Sequence, residues 1–238
     1  MLRGTQAVVG PILLVLASVL TVPAQDREVA KEFDPAFRID IDAGRYKFDV
    51  YSWREKSEEL EAGAVTVGAG VRFRLKPVLK TFFDALDTDK QHVFVGRVGY
   101  EYRRASEGEL RSHTQSLMFD GTFRWGLPQK ILMSDMNRFE LRRIDGGRSF
   151  RYWNRLRLER PLRPFKWRVA PFVAAEAYWD GRYRIWNKFA YTGGVELSII
   201  RRRSSLDLYY RRERCISCPD QHTDVAGVTL NVFLRLRK

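Results

Sequence analysis

The sequence predicts an all-β protein, an antiparallel transmembrane β-barrel of about ten strands (8–12) preceded by a cleaved signal peptide. Three observations predict it. Apolar and polar residues alternate with a period of two along most of the chain. Many of these runs exceed the ~5–6 residues usual in soluble proteins and suit the ~9–11 residues of a tilted membrane strand. The chain also opens on an export-type segment, "AVVGPILLVLASVLTVPAQD" after Arg3.

That opening segment is short and broken by proline, which disfavours a membrane-spanning helix. It ends in Val22-Pro23-Ala24, small residues where a signal peptidase reads. The division is therefore a signal peptide at 1–24 and a barrel domain at 25–238. Of 42 basic and 29 acidic residues in the chain, only Arg3 falls in the leader, so the remainder carries a net +12. A strongly basic chain suggests nucleic acid first. Export argues against that, and so does the scatter of arginines along strand-like runs rather than in one block. The expected partners are outer-membrane lipid and lipopolysaccharide together with the outer-membrane assembly machinery, with no nucleic acid.

Ten alternating runs follow, at roughly 39–54, 62–76, 91–104, 113–126, 130–143, 147–160, 166–179, 187–201, 203–214 and 223–237. "GAVTVGAGVRFRL" sets Val65, Val67, Val71 and Phe73 against Thr66, Arg72 and Arg74. "SLMFDGTFRW" sets Leu117, Phe119, Phe123 and Trp125 against Asp120, Thr122 and Arg124. "WNRLRLERPL" sets Leu156 and Leu158 against Arg155, Arg157 and Glu159. The connections "GLPQ", "PLRPF" and "RRR" are short, as periplasmic turns are when both termini lie in the periplasm. "KPVLKTFFDALDTDKQ" is longer; Val78, Leu79, Phe82, Phe83 and Leu86 have helical spacing, fitting a short amphipathic helix at the periplasmic rim or an ordinary loop.

A barrel explains why strands keep guanidinium groups on one face. In lipid the outer face must be apolar and closure must pair every backbone amide, while the interior can be polar. The expected inward basic set is Arg72, Arg74, Arg97, Arg103, Arg124, Arg138, Arg142, Arg151, Arg155, Arg157, Arg168, Arg211 and Arg235. The expected inward acids are Glu101, Asp120, Glu140, Glu159, Glu176, Glu196 and Asp207. Thirteen against seven predicts a positive lumen. Its ion-pair network is placed at Arg155, Arg157, Glu159, Arg168, Glu176, Glu196, Asp207 and Arg211. Tyr46, Tyr102, Trp125, Tyr152, Trp167, Trp179, Phe189 and Tyr210 lie near run ends on the apolar face and read as interfacial girdles. Asp135 and Asn137 fall on the lipid face unless a bulge changes phase there. Pro171 inside a run removes a ladder donor.

The C-terminal half carries further motifs: an N-R-x-R-x-E run at Asn154, Arg155, Arg157 and Glu159; a P-F-x-x-x-E strand at Pro171 and Glu176; an N-K-x-x-x-x-G strand at Asn187, Lys188 and Gly193; and an L-x-L-Y-Y strand at Leu206, Tyr209 and Tyr210. In these it resembles a bacterial family of predicted outer-membrane proteins named only as a domain of unknown function. Lys188 stands where that family more often has arginine. The resemblance implies a barrel in the envelope of a Gram-negative bacterium and no catalytic residues.

Cys215 and Cys218 are the two cysteines. In an oxidising compartment the default is a disulfide. A single C-x-x-C with His222 nearby falls short of the four ligands of a structural zinc site, so neither metal nor cofactor is expected. An acyl-transfer site needs a histidine beside its nucleophile. The chain has only His92, His113 and His222, and no G-x-S-x-G elbow. The reading is a small barrel of structural or binding role. The alternatives are a narrow anion-preferring pore and an envelope lipid-modifying enzyme using His113 or His222.

Overall fold

The computed structural model describes residues 30–56, 62–77, 87–107, 110–162, 168–200, 203–216 and 222–236. The leader and the segment 78–86 with its helical spacing lie outside them. Eleven strands are present: β1 (Ala30–Ala43), β2 (Tyr46–Lys56), β3 (Ala62–Pro77), β4 (His92–Glu107), β5 (Leu110–Leu127), β6 (Ile131–Ile144), β7 (Gly147–Glu159), β8 (Val169–Asp180), β9 (Ile185–Ile200), β10 (Ser204–Cys215) and β11 (His222–Arg235). They form one closed barrel in which each strand pairs antiparallel with its sequence neighbours. The closing pair is the exception: β1 runs parallel to β11, with Ala30 opposite Thr223 and Asp42 opposite Arg235.

The strand count corrects the expected ten. The run read at 39–54 straddles a hairpin, because Gly44 takes φ 78 and the chain reverses between Ala43 and Tyr46. The Gly44 N–H donates to Asp42 Oδ1 at 3.0 Å, which fastens the turn. Asp145 and Gly146, both at positive φ, make the β6–β7 turn in the same two-residue manner. The nine later runs correspond to β3 through β11. The added strand changes more than a number. An odd count places the start of β1 and the end of β11 at opposite ends of the barrel, not both at one end.

We call these the N-terminal and C-terminal ends. The C-terminal end carries the connections at 44–45, 78–91, 128–130, 160–168 and 201–203. The N-terminal end carries those at 57–61, 108–109, 145–146, 181–184 and 216–221. Pro171 lies just beyond the last β7–β8 pair, Glu159 with Phe172, and its carbonyl accepts from the Arg160 N–H at 3.1 Å. The missing donor is thus displaced to where the ladder is already ending.

The burial pattern is inverted relative to a soluble protein. Along β2, Lys47 and Asp49 are buried, while Tyr46, Phe48 and Val50 are exposed. On β3, Arg72 and Arg74 are buried between exposed Val71, Phe73 and Leu75. The outer face carries aromatic ladders. Phe73, Phe94, Phe123 and Trp125 run across β3 to β5 toward the C-terminal end, with centroids 4.8–6.3 Å apart. Phe139, Phe150, Tyr152, Trp179 and Trp186 run across β6 to β9 toward the other end, at 5.0–6.1 Å. Gly96 is required beneath the first ladder, because a Cβ there would meet the Phe73 ring at 2.0 Å.

Asp135 and Asn137 do face outward. Neither the β5–β6 nor the β6–β7 register shifts. Asn154 donates to Asp135 Oδ1 at 2.5 Å and to Asn137 Oδ1 at 3.1 Å, and the Tyr152 hydroxyl donates to Asn137 Oδ1 at 2.6 Å. The polar groups on the apolar wall therefore satisfy one another.

The parallel seam gives a direct test. With Cys215 and Cys218 replaced by serine, Ala36→Cys combined with Thr229→Cys should cross-link on oxidation, because those residues are register partners. Ala36→Cys with Leu206→Cys should not. Absence of the first cross-link in folded protein would rule out the parallel closure.

Candidate functional site: an ion-paired lumen crossed by a strap

The alternation on every strand sends charged side chains into the barrel, where they surround a cavity of about 710 Å³. Among the described residues, ten acidic and ten basic ones line it. Around this cavity, therefore, acids and bases balance, where thirteen bases against seven acids were expected of the inner face. Six of those acids, Glu32, Asp34, Glu55, Asp87, Asp89 and Glu213, lie outside the set read from the sequence. They come mainly from β1, β2 and the connection before β4. Arg235, expected inside, is exposed where β11 ends.

The C-terminal end of the lumen is crossed by a short 3₁₀ turn, Thr88–Gln91. Asp87 caps it, its side chain accepting from the Asp89 N–H at 3.0 Å. Asp89 is buried between three cations from the wall. Arg74 Nε is 2.6 Å from Oδ1; Arg72 Nη1 and Lys47 Nζ are 2.8 and 3.3 Å from Oδ2. Lys47 also reaches Asp87 at 2.7 Å and Asp40 at 3.0 Å. The next residue points to the opposite wall, where Lys90 Nζ lies 2.8 Å from Glu159 on β7 and 2.6 Å from Glu196 on β9. Adjacent side chains of one turn thus tie β2 and β3 to β7 and β9. The described part of this connection, 87–91, is a strap across the lumen.

Burial opposes charge on both ends of the strap, and the ion pairs overcome it. Burial raises Asp87, but Lys47, Lys90 and the Asp89 N–H hold it well below the usual carboxylate range. Burial lowers Lys90, but Glu159 and Glu196 hold it above the usual lysine range. A depressed acid stabilises above its unfolded pKa of about 3.9, and a raised amine below about 10.4. Asp87 loses its contribution as pH falls through its low folded value. Lys90 loses its contribution as pH rises through its high one. Between about pH 4 and about pH 10 both contributions are in place.

Above the strap the pairs continue around the wall. Arg97 on β4 bridges Asp49 on β2 at 2.9 Å and Asp120 on β5 at 3.2 Å. Asp120 also accepts from Arg138 on β6 at 2.6 Å. Glu140 takes Arg151 at 2.7 Å and the Trp153 indole N–H at 3.2 Å. Nearer the N-terminal end, Arg103 pairs with Glu55 at 2.5 Å and Arg142 with Asp180 at 2.7 Å.

The network placed from the sequence divides into two groups. Near the strap, Arg157 Nε lies 2.9 Å from Glu159, and its guanidinium covers the Phe172 ring at 3.8 Å. Glu196 stands directly opposite Asp207, whose Oδ1 has no hydrogen-bond partner. Higher in the lumen, Arg155 Nε lies 3.1 Å from Glu176, its register partner, and Tyr178 donates its hydroxyl to the same carboxylate. Arg211 lies 2.8 Å from Glu213 and 3.3 Å from Asp34. Arg168 sits just before β8, where its carbonyl accepts from the Ser198 N–H at 3.0 Å.

Cys215 is disulfide-bonded. The chain's other cysteine, Cys218, lies outside the described residues. His113 and His222 are on β5 and β11, far apart around the barrel. His113 Nδ1 is 3.2 Å from Asp145 on the exposed β6–β7 turn. His92 Nδ1 lies 2.9 Å from the Thr88 carbonyl oxygen. Among the described residues no histidine hydrogen-bonds a serine, so the geometry assembles no acyl-transfer pair. Nor do these residues hold a group of three or more potential metal ligands. No family model matches the chain, and no curated protein matches it.

The packing makes the Arg155–Glu176 pair testable. Removing one partner of a buried pair typically costs ~3–5 kcal/mol, whereas an apolar replacement of both can be nearly neutral. Glu176→Ala should lower the unfolding midpoint in detergent more than Glu176→Leu combined with Arg155→Leu. Equal losses would mean that the pair carries no coupling.

Proposed function

We propose that this chain is a small outer-membrane β-barrel of a Gram-negative envelope, exported by a signal peptide at 1–24, with a structural or small-ligand-binding role. The observation that carries the reading is the inverted burial: apolar and aromatic side chains cover the outside, and ion pairs fill the inside. Water offers no reason to expose Val50, Tyr191 and Ile200 while burying Lys47 and Asp49. Acyl chains offer one, and a closed sheet leaves no unpaired edge in them. The aromatic ladders toward the two ends fit interfacial girdles. The motif resemblance of the C-terminal half to an envelope family points the same way.

An eleven-strand wall is narrow, between the filled eight-strand barrel and the open porin. The strap obstructs the C-terminal end, and equal numbers of acids and bases give the lining no anion preference. A steadily open channel is therefore disfavoured. Outer-membrane lipid, lipopolysaccharide and the assembly machinery are the partners this reading requires. We place the C-terminal end in the periplasm, which puts the turns at 145–146 and 181–184 at the cell surface.

Three outcomes check this. Purified protein should stay folded and heat-modifiable in detergent and show no sustained conductance in planar bilayers; a large steady conductance would replace the structural reading with a pore. Leu156→Arg should impair insertion, since arginine near the bilayer midplane costs about 2–4 kcal/mol, while Leu132→Met on the inner face should be mild. Impermeant thiol reagents on intact cells should label Gly181→Cys and spare Gln129→Cys, and the reverse pattern would invert the orientation.

A further inference from the structure

The strap is held by a cluster that has more donors than its occupant can use. Lys47, Arg72 and Arg74 converge on the two oxygens of Asp89. Arg72 and Arg74 are each only 6% exposed, yet Arg72 Nη2 and Arg74 Nη2 have no hydrogen-bond partner. Arg124, which lines the cavity together with Arg72, has an Nη1 in the same condition. Buried guanidinium N–H groups without acceptors are costly. A planar carboxylate presents its lone pairs in one plane, whereas a phosphoryl group presents three oxygens in a tetrahedral spread, a better match to donors arriving from several strands.

The neighbouring acids must be counted as well. Asp40 contacts Lys47 and Arg72, Asp42 contacts Arg74, and Asp49 contacts Arg72. Withdrawing the strap removes Asp87 and Asp89 together. Four local cations, Arg38, Lys47, Arg72 and Arg74, then face three acids, Asp40, Asp42 and Asp49. The seat becomes cationic as soon as the strap leaves it.

We propose that the Lys47–Arg72–Arg74 seat is a binding site for a phosphoryl group, with Asp89 as its built-in competitor. A ligand bearing a terminal phosphate displaces Asp89, the Thr88–Gln91 turn leaves the lumen, and the C-terminal end opens. Asp89 is tethered, so it competes at an effective concentration on the order of millimolar. A phosphate ligand must be present at comparable levels or make further contacts. Lys90 provides the second tie, because release also gives up its contacts with Glu159 and Glu196. Both the phosphate of an envelope lipid and free phosphate satisfy the chemistry. The inference rests on the seat and the strap alone, and binding in detergent tests it wherever the barrel resides.

The experiment is a titration of the full chain in detergent with inorganic phosphate, and separately with a short-chain phosphatidic acid, each against chloride at equal ionic strength. Binding is read by calorimetry and strap release by trypsin cleavage after Lys90. Phosphate should accelerate that cleavage and chloride should not. Asp89→Asn should tighten phosphate binding by about tenfold, the effect of one charge-assisted contact, and Arg74→Gln should weaken it by a similar factor. A stronger response to the lipid than to phosphate identifies the lipid as the source; equal responses identify the free anion. The proposal is overturned if phosphate acts no differently from chloride, if Asp89→Asn leaves affinity unchanged, or if binding leaves Lys90 as protected as before. Should Asp89→Asn fail to fold, the cleavage response of the unmodified chain decides alone.

Discussion

Every part of this molecule depends on pairing charge inside a closed sheet. A barrel wall that turns its apolar side outward must turn its polar side inward, and an unpaired ion there is expensive. Few of the lumen's contacts are isolated couples. Asp49 serves Arg72 and Arg97, Asp120 serves Arg97 and Arg138, and Glu140 serves Arg151 and Trp153. Sharing spreads each charge over neighbouring strands, so the interior behaves as a ring of linked contacts. Such a ring specifies register strongly, because a one-residue slip would expel its members to the outer face.

The same constraint explains the strap. Without Asp89, Lys47, Arg72 and Arg74 would be only partly neutralised by Asp40, Asp42 and Asp49, and without Lys90, Glu159 and Glu196 would share Arg157 alone among the described residues. Two successive residues of opposite charge, Asp89 and Lys90, settle both walls at once. The outer polar cluster of Asp135, Asn137, Asn154 and Tyr152 follows the same rule on the other side of the wall, where each member finds its partner within the group.

Much of the fold could be read from period-two alternation, since nine runs coincide with β3 through β11. The first run failed for a physical reason. In "IDIDAGRYKFDV" the apolar positions are 39, 41 and 43 before the turn and 46, 48 and 50 after it, so the two-residue turn shifts the phase by one, and a single run over 39–54 passes over that shift. The first run begins only at 39, whereas residues 30–38 already belong to β1 and pair with β11 at the seam. Losing β1 lost Asp34, and reading Asp40, Asp42 and Asp49 along one strand hid their inward role. From that came the expectation of a positive lumen. Arg155 beside Glu176 and Arg157 beside Glu159 were legible because alternation alone puts them on one face. The strap was not, because Asp89 and Lys90 have meaning only through residues from β2, β3, β7 and β9.

The parallel seam has a consequence for how this barrel comes into being. Every other strand pair can zip as a hairpin with its sequence neighbour, but β1 must wait for β11, the last strand made. Until then both are open edges, each offering a row of unpaired amides to any passing chain. The closing contact has nearly the largest sequence separation the chain allows, and such contacts form slowly. Closure is thus a late and separate event. The ion pair that spans the seam, Asp34 on β1 with Arg211 on β10, can help to guide the edges together. A barrel interrupted before this step would be an almost complete sheet with two sticky margins, the form most exposed to aggregation and most in need of an assembly partner.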